Sequence, residues 1–216
     1  MMAGDKGGVQ LIFLRYESFR SYLKLYPVTS VLLALNLVMF AILELTGGST
    51  NTYNLVRWGA LVKAPSMDPF GLTEPWRYLS SMFLHIGWQH LLFNCFSLLV
   101  FAPPLERLLG HVRYAVFYLL SGIAGGILSL VLYNDSVYPI GVSAGASGAI
   151  YGVFGAFLHM VLLQRHKLDE ASRKTVITIL VIGVLFSIFV RQIDLLAHVG
   201  GGFAGFALYG LLQRRK

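Results

Sequence analysis

Six long apolar runs constrain the fold of this chain more than any other feature of its sequence. Each approaches the roughly 20 residues that a helix needs to cross the hydrocarbon core of a bilayer. No Asp, Glu, Lys or Arg lies in the middle of any run. A backbone in lipid must satisfy its own hydrogen bonds, so each run is predicted to be a transmembrane helix. The predicted spans are residues 28–45, 82–103, 112–133, 147–163, 175–190 and 195–212.

These runs predict an all-α integral membrane protein, a bundle of six transmembrane helices over residues 28–213. Hydrophobic residues make up 56% of the 216 and charged residues 12%, unlike a soluble globular chain. Nearly every residue lies in or beside an apolar run, so we expect no second domain. The single cysteine, Cys95, lies within a predicted span, and one cysteine excludes an intrachain disulfide.

Basic residues are concentrated on one side of the predicted bundle, which carries 13 of the 17. Only Arg57, Lys63, Arg77 and Arg191 fall on the other side. The positive-inside rule therefore predicts that both termini are cytoplasmic, and an even number of spans agrees with that orientation. The distribution of the net charge of +7 indicates contact with lipid headgroups, and no nucleic-acid partner is expected.

The segments outside the spans also carry predictions. Residues 1–27 are expected to be a cytoplasmic segment, whose mixed apolar and basic stretch 10–26 predicts a short interfacial helix. Residues 214–216 are predicted to be a basic cytoplasmic tail. The first outward loop, residues 47–81, contains Trp58 and Trp76, and tryptophan favours the membrane interface. We therefore expect this long loop to be partly embedded in the bilayer.

Polar residues in three spans are predicted to lie at one depth. Ser147 falls where the small residues of GVSAGASGAIYGVFG (141–155) give way to an apolar helical pattern. At about 1.5 Å per residue, Ser147 lies ~27 Å from Arg165, and His90 lies ~26 Å from Arg107. His198 lies ~24 Å from Arg214 by the same measure. These levels predict a cluster immersed just below the outer surface, with Asn94 one turn deeper than His90.

Acyl transfer is the chemistry that these residue types support. A serine hydroxyl is a poor nucleophile until a base takes its proton, and His198 is the candidate base for Ser147. His90 and Asn94 lie four apart, so both side chains share a helix face and can donate to an oxyanion. The backbone N–H of Ser147 is a third donor at the positive end of a helix dipole.

Glycines around these residues have predicted roles in packing. Gly145 and Gly148 allow a sharp turn and the close approach of a substrate. Gly148 and Gly152 form one small-xxx-small face, and Gly201 and Gly205 form another. Such faces let helices approach closely, so the fourth and sixth spans are predicted to touch. That contact would bring Ser147 against His198.

Other interpretations of the polar residues are less favoured. A transporter or channel would more often show charged or unwound residues along a continuous path. A metal site on His85, His90 and His198 is disfavoured because carboxylate or thiolate ligands are lacking, so no metal is expected. Asp194, four residues before His198, could complete a catalytic triad, but it is favoured as the N-cap of the last span. Ser143 precedes the helix and is a weaker nucleophile candidate.

The motifs at these positions resemble those of the rhomboid intramembrane serine proteases. GASG at 145–148 is similar to the family's GxSG, AHVGGGFAG at 197–205 to its AHxxGxxxG, and HLLFN at 90–94 to its HxxxN. Trp76 and Arg77 resemble its WR pair, and Tyr151 the aromatic residue on which its catalytic histidine packs. Leu105, Glu106 and Arg107 resemble its acidic turn after the second span. The resemblance covers residues 28–216 in matching order.

The resemblance implies a fold and an activity. It implies a six-helix bundle with a Ser147–His198 dyad that uses no cofactor and cleaves transmembrane segments of other membrane proteins. It also implies that the fifth span acts as a lateral gate. A catalytically silent relative that binds membrane clients remains an alternative, although such proteins usually lack the serine or the histidine. Separately from the resemblance, a bacterial cytoplasmic membrane is the expected location, because the sequence shows no organelle transit signal and no extra domain.

Overall fold

The computed structural model describes residues 17–134, 136, 140–189 and 193–213, without the side chain of Lys167. The described α helices are α1 (Phe19–Leu25), α2 (Pro27–Thr46), α3 (Thr52–Arg57), α4 (Arg77–Ser80), α5 (Gly87–Leu109), α6 (His111–Val131), α7 (Ser147–Leu163), α8 (Glu170–Phe189) and α9 (Leu195–Leu212). Two short strands, β1 (Leu61–Lys63) and β2 (Gly141–Ser143), lie between them. Of the predicted terminal segments, residues 1–16 and 214–216 lie outside the described residues, and α1 covers part of the predicted interfacial helix.

Each predicted span corresponds to a helix, but the helices differ in length. Among the described residues, five helices are long and apolar enough to cross a membrane, namely α2, α5, α6, α8 and α9. The chain is therefore a multi-pass integral membrane protein. The run at 147–163 forms α7, which has only 17 residues. At 1.5 Å per residue it is about 25 Å long, which is shorter than the hydrocarbon core.

The predicted bounds of the second span were wrong at both ends. We expected residues 82–103, whereas α5 covers Gly87–Leu109. Residues Ser81–Phe83 instead form a 3₁₀ turn, and Gly87 has a φ of +75°, which favours glycine at the start of the helix. The predicted span ended at Pro103, whereas Pro103 and Pro104 both lie buried inside the helix. Packing in the bundle thus outweighs the loss of their backbone hydrogen bonds.

Glycines bring α7 and α9 into backbone contact, as the sequence predicted. A Cβ placed on Gly201 would lie 1.9 Å from the carbonyl oxygen of Gly148, and one on Gly205 would lie 2.0 Å from that of Gly152. Helix α7 lies at the centre of the bundle, with twelve of its 17 residues buried. A close approach of this kind positions the N-terminus of α7 against the first turns of α9.

Side-chain bonds gather several helix ends at one end of the bundle. The buried carboxylate of Glu106, near the end of α5, accepts from the backbone N–H groups of Val28 and Thr29 at the start of α2. It also lies 2.7 Å from Nδ1 of His111, at the start of α6. Gln164 donates to Gln213, which joins the ends of α7 and α9. This is the end that the basic residues predict to be cytoplasmic.

A small sheet at the opposite end departs from the all-α prediction. Strand β1 pairs antiparallel with β2 in the register Leu61↔Ser143, Val62↔Val142 and Lys63↔Gly141. The first outward loop therefore contains α3, β1 and α4 and is hydrogen-bonded to the segment that leads into α7. Three-residue strands have too short a pattern to be recognised in the sequence. The partial embedding of this loop in the bilayer stays a prediction.

Candidate active site

Ser147 is the first residue of α7 and is half-buried. The turn before it requires Gly145, whose φ is +134°. A Cβ on Gly145 would lie 2.8 Å from Nε2 of His90 and 3.7 Å from Oγ of Ser147. A side chain at Gly145 would therefore push into the space between the histidine ring and the hydroxyl, and only glycine leaves that space open.

His90 and Asn94 share a face of α5, as their spacing predicted. The backbone N–H of Ile86 donates to Nδ1 of His90 at 3.3 Å. A neutral ring that accepts at Nδ1 carries its proton on Nε2, the nitrogen that faces Gly145. Asn94 is 5% exposed, and its side-chain amide donates to the carbonyl of His90 at 2.8 Å. A primary amide has two N–H groups, so this bond uses one of them.

His198 lies in the first turn of α9, is 6% exposed and is held on two sides. Its ring stacks on Tyr151, with centroids 3.9 Å apart and planes 11° from parallel. Tyr151 lies one turn after Ser147 on α7. Nδ1 of His198 lies 2.7 Å from Oγ of Ser187, which belongs to α8. The structure thus positions His198 at the same end of the α7–α9 contact as Ser147.

Asp194 caps α9, as the sequence favoured. One carboxylate oxygen accepts from the backbone N–H of Ala197 at 3.1 Å. The other accepts from Nζ of Lys63 at 2.9 Å, from Ser129 at 2.5 Å and from Ser143 at 2.7 Å. Burial alone would raise the pKa of this carboxyl, but the Lys63 ammonium and the serine hydroxyls hold the pKa below its usual value.

Asp194→Asn is expected to leave the cleavage proposed below nearly unchanged in folded protein, because the bonds of its carboxylate go to Lys63, two serines and the backbone of α9. Replacing an acid that orients a catalytic histidine by its amide lowers kcat about 10⁴-fold.

The single change Asp194→Asn leaves Lys63 buried beside a neutral amide, which lowers the stability by about 3–5 kcal/mol. The paired variant Lys63→Met/Asp194→Asn removes both charges and separates stability from catalysis. A 10⁴-fold loss of kcat in that variant with an unchanged unfolding temperature would assign Asp194 to catalysis.

Trp76 and Arg77 organise the first outward loop. The guanidinium of Arg77 donates to the carbonyls of Val56 at 2.7 Å and Ala60 at 3.0 Å, and it lies 4.6 Å from the centre of the Trp76 ring. These contacts fix the backbone that leads into β1. The resemblance identified both residues as a WR pair that supports the site, and their observed contacts are with the loop.

His85 supports the turn that leads into α7. It is fully buried just before α5, and its Nε2 accepts from the backbone N–H of Ala146 at 3.5 Å. Burial lowers the pKa of His85 to about 3, so its ring is neutral at physiological pH. No three His, Cys, Asp or Glu side chains come close enough to share a metal ion in the described part of the chain.

Ser187 and Lys63 are contributors that the sequence reasoning missed. Ser187 interrupts the apolar run LVIGVLFSIFV, and a lone hydroxyl four residues after Gly183 was the available signal. The sequence marks Lys63 only as one of the few basic residues on the outward side. A lysine buried beside apolar residues requires a partner of opposite charge. The sequence alone does not identify Asp194, 131 positions away, as that partner.

Comparison with known proteins identifies relatives of this chain. Residues 72–215 match the family model of the Rhomboid domain. The chain is 36% identical over 206 residues to a putative rhomboid protease, YdcA, of Bacillus subtilis (strain 168), covering 95% of this chain and 98% of the relative. It is 42% identical over 178 residues to the rhomboid protease GluP of the same organism, covering 82% of this chain and 33% of GluP. RHOMBOID-like protein 7 of Arabidopsis thaliana is 33% identical over 172 residues, which cover 78% of this chain and 51% of that protein.

Proposed function

Because this chain belongs to the rhomboid family, we propose that it is an intramembrane serine endopeptidase that cleaves transmembrane segments of other membrane proteins. The observation that carries the proposal is the stacking of His198 on Tyr151, one turn from Ser147. The Gly148–Gly201 contact holds the two helix backbones together beside it. A base and a nucleophile from separate helices are thereby held at one interface. The close packing of the two helices limits changes in the distance between them.

In the proposed reaction, Oγ of Ser147 attacks the scissile carbonyl while Nε2 of His198 takes its proton. The oxyanion that forms accepts from the Ser147 backbone N–H, from Nε2–H of His90 and from the side-chain amide of Asn94. His198 then gives its proton to the leaving amine, which departs and leaves an acyl-enzyme. Water attacks the ester with His198 as base, and the serine is regenerated. The step uses no metal or cofactor.

Burial supports this assignment of roles. His198 and Asn94 are both nearly inaccessible, and hydrogen bonds aimed at a developing charge are stronger where water is excluded. In the neutral tautomer of His90, the protonated Nε2 faces Gly145, two residues before Ser147. A carbonyl that reaches Ser147 would therefore meet a donor without any rearrangement of the α5 face.

The charge distribution supports a topology for the enzyme. Arg107, Arg113 and Arg165 lie at the end of the bundle where α2 begins and α9 ends. We propose that this end faces the cytoplasm and that the membrane is a bacterial cytoplasmic membrane. The site then lies toward the outer face, near the β1–β2 sheet.

Cleavage of a reporter in proteoliposomes tests the proposed function. The purified chain is expected to cut a labelled single-span substrate into two products, and mass spectrometry of their ends would locate the cut within the span. Binding of the reporter without products would instead favour a catalytically silent client-binding protein. Ion flux through the same liposomes, unchanged by Ser147→Ala, would favour a transporter. Either result would overturn the assignment.

A further inference from the structure

Ser187, on α8, has three partners at the back of the proposed site. Its Oγ lies 2.7 Å from Nδ1 of His198 and 3.1 Å from the hydroxyl of Tyr151. It also donates to the carbonyl of Gly183 at 2.7 Å. Ser187 is 4% exposed, although it lies on a helix whose other residues are mostly exposed. The hydroxyl therefore joins α8 to both rings of the His198–Tyr151 stack.

The positions of the protons follow from what each partner can do. A serine hydroxyl has one proton and two lone pairs, and a carbonyl oxygen has no proton to give. Ser187 consequently donates its only proton to the carbonyl oxygen of Gly183. Nδ1 of His198 must then be the donor in its own 2.7 Å contact with Ser187, and Tyr151 donates as well. A neutral imidazole has one N–H, so Nε2 of His198 keeps its lone pair.

We propose that Ser187 is a positioning residue that holds His198 in the Nδ1–H tautomer and so directs the Nε2 lone pair to Ser147. This inference rests on the proposed function, in which Nε2 is the base. Proteases with a catalytic acid use a carboxylate for this purpose. Here the one acid near His198 in sequence, Asp194, is bonded to Lys63, and a hydroxyl occupies the corresponding place behind the ring.

The location of Ser187 makes the tautomer depend on α8. Only three of the 20 residues of α8 are buried, namely Ser172, Val176 and Ser187. Near the outer end, Gly183 allows Tyr151 to approach, since a Cβ there would lie 2.6 Å from the tyrosine oxygen. Displacement of this loosely packed end of α8 would break the Ser187–His198 hydrogen bond. The His198 ring would then no longer be fixed in one tautomer and orientation.

Ser187→Ala is expected to lower kcat for reporter cleavage on the order of tenfold while KM changes little, because the lost hydrogen bond orients the base and binds no substrate. Ser187→Thr keeps the hydroxyl and should restore kcat. The matched control is Thr175→Ala, which removes another α8 hydroxyl bonded to a carbonyl four residues back, at an exposed position. That variant should cleave at the wild-type rate.

Nitrogen-15 NMR of histidine-labelled protein gives a readout that does not depend on activity. The His198 signals, assigned by their loss in His198→Ala, should show a protonated Nδ1 and an unprotonated Nε2 in the wild type. Ser187→Ala should mix the two tautomers, and Ser187→Thr should not. An unchanged tautomer in Ser187→Ala, or equal loss of kcat in the alanine and threonine variants, would overturn the proposal for Ser187. Absence of Ser147-dependent cleavage by the wild type would overturn the proposed function instead, and the NMR result would still decide the role of Ser187.

Discussion

Ser147→Ala should abolish cleavage of a transmembrane reporter while the protein stays folded. Loss of the nucleophile in a serine protease lowers kcat on the order of 10⁶-fold, which is below detection in a gel assay. Ser147 is the first, half-buried residue of α7, and alanine is the best helix former, so the helix should not be destabilised. Product formation and the unfolding temperature in detergent are the two measurements.

Ser143→Ala is the matched control for that experiment. Ser143 is the neighbouring serine in β2 and donates to Asp194, so its loss should lower stability slightly and leave cleavage intact. If Ser147→Ala cleaved normally while Ser143→Ala did not, the nucleophile would be Ser143 and the assignment of Ser147 would be wrong. Normal cleavage by both variants would exclude both serines as the nucleophile.

Gly201→Ala should disable the enzyme from a position outside the proposed chemistry. Its Cβ would lie 1.9 Å from the carbonyl oxygen of Gly148, and a backbone atom cannot rotate aside. Helices α7 and α9 must therefore move apart, at a cost of about 1–3 kcal/mol for the overpacked methyl. A misplacement of about 1 Å between nucleophile and base can cost on the order of 10²-fold in rate. Reporter cleavage and chemical unfolding measure the two effects.

The next residue supplies a control with the same substitution. A Cβ on Gly202 would lie 3.7 Å from its nearest neighbour, the carbonyl oxygen of Tyr151, which is an ordinary contact. Gly202→Ala should therefore cleave and unfold like the wild type. Equal behaviour of the two alanine variants would mean that the tight α7–α9 contact does not control the site.

The sequence predicted the parts of the fold that depend on strong local patterns. The spans at 147–163 and 195–212 coincide with α7 and α9, because glycine-rich segments mark the start of both helices. The family is confirmed by the match over residues 72–215. The contact between α7 and α9 could also be predicted, since small residues at a spacing of four form a face for close packing. The capping role of Asp194 followed from its place before the first helical turn.

The remaining features depend on contacts between residues far apart in sequence. Pro103 and Pro104 continue α5 because they are buried against other helices, which no local rule reports. Lys63 and Asp194 are 131 positions apart, so no local sequence pattern identifies their ion pair. Ser187 looked like an ordinary polar residue in an apolar run. Its importance lies in facing His198 from another helix, and helical periodicity alone does not identify the partner of a buried hydroxyl.

Labelling with a fluorophosphonate tests the central claim most directly, namely that His198 activates Ser147 at the α7–α9 interface. The wild-type protein should be labelled, and peptide mass spectrometry should locate the adduct on Ser147. Labelling should be lost in Ser147→Ala and strongly reduced in His198→Ala, since a serine without its base reacts slowly. An adduct on another serine, or equal labelling rates of the wild type and His198→Ala, would contradict it.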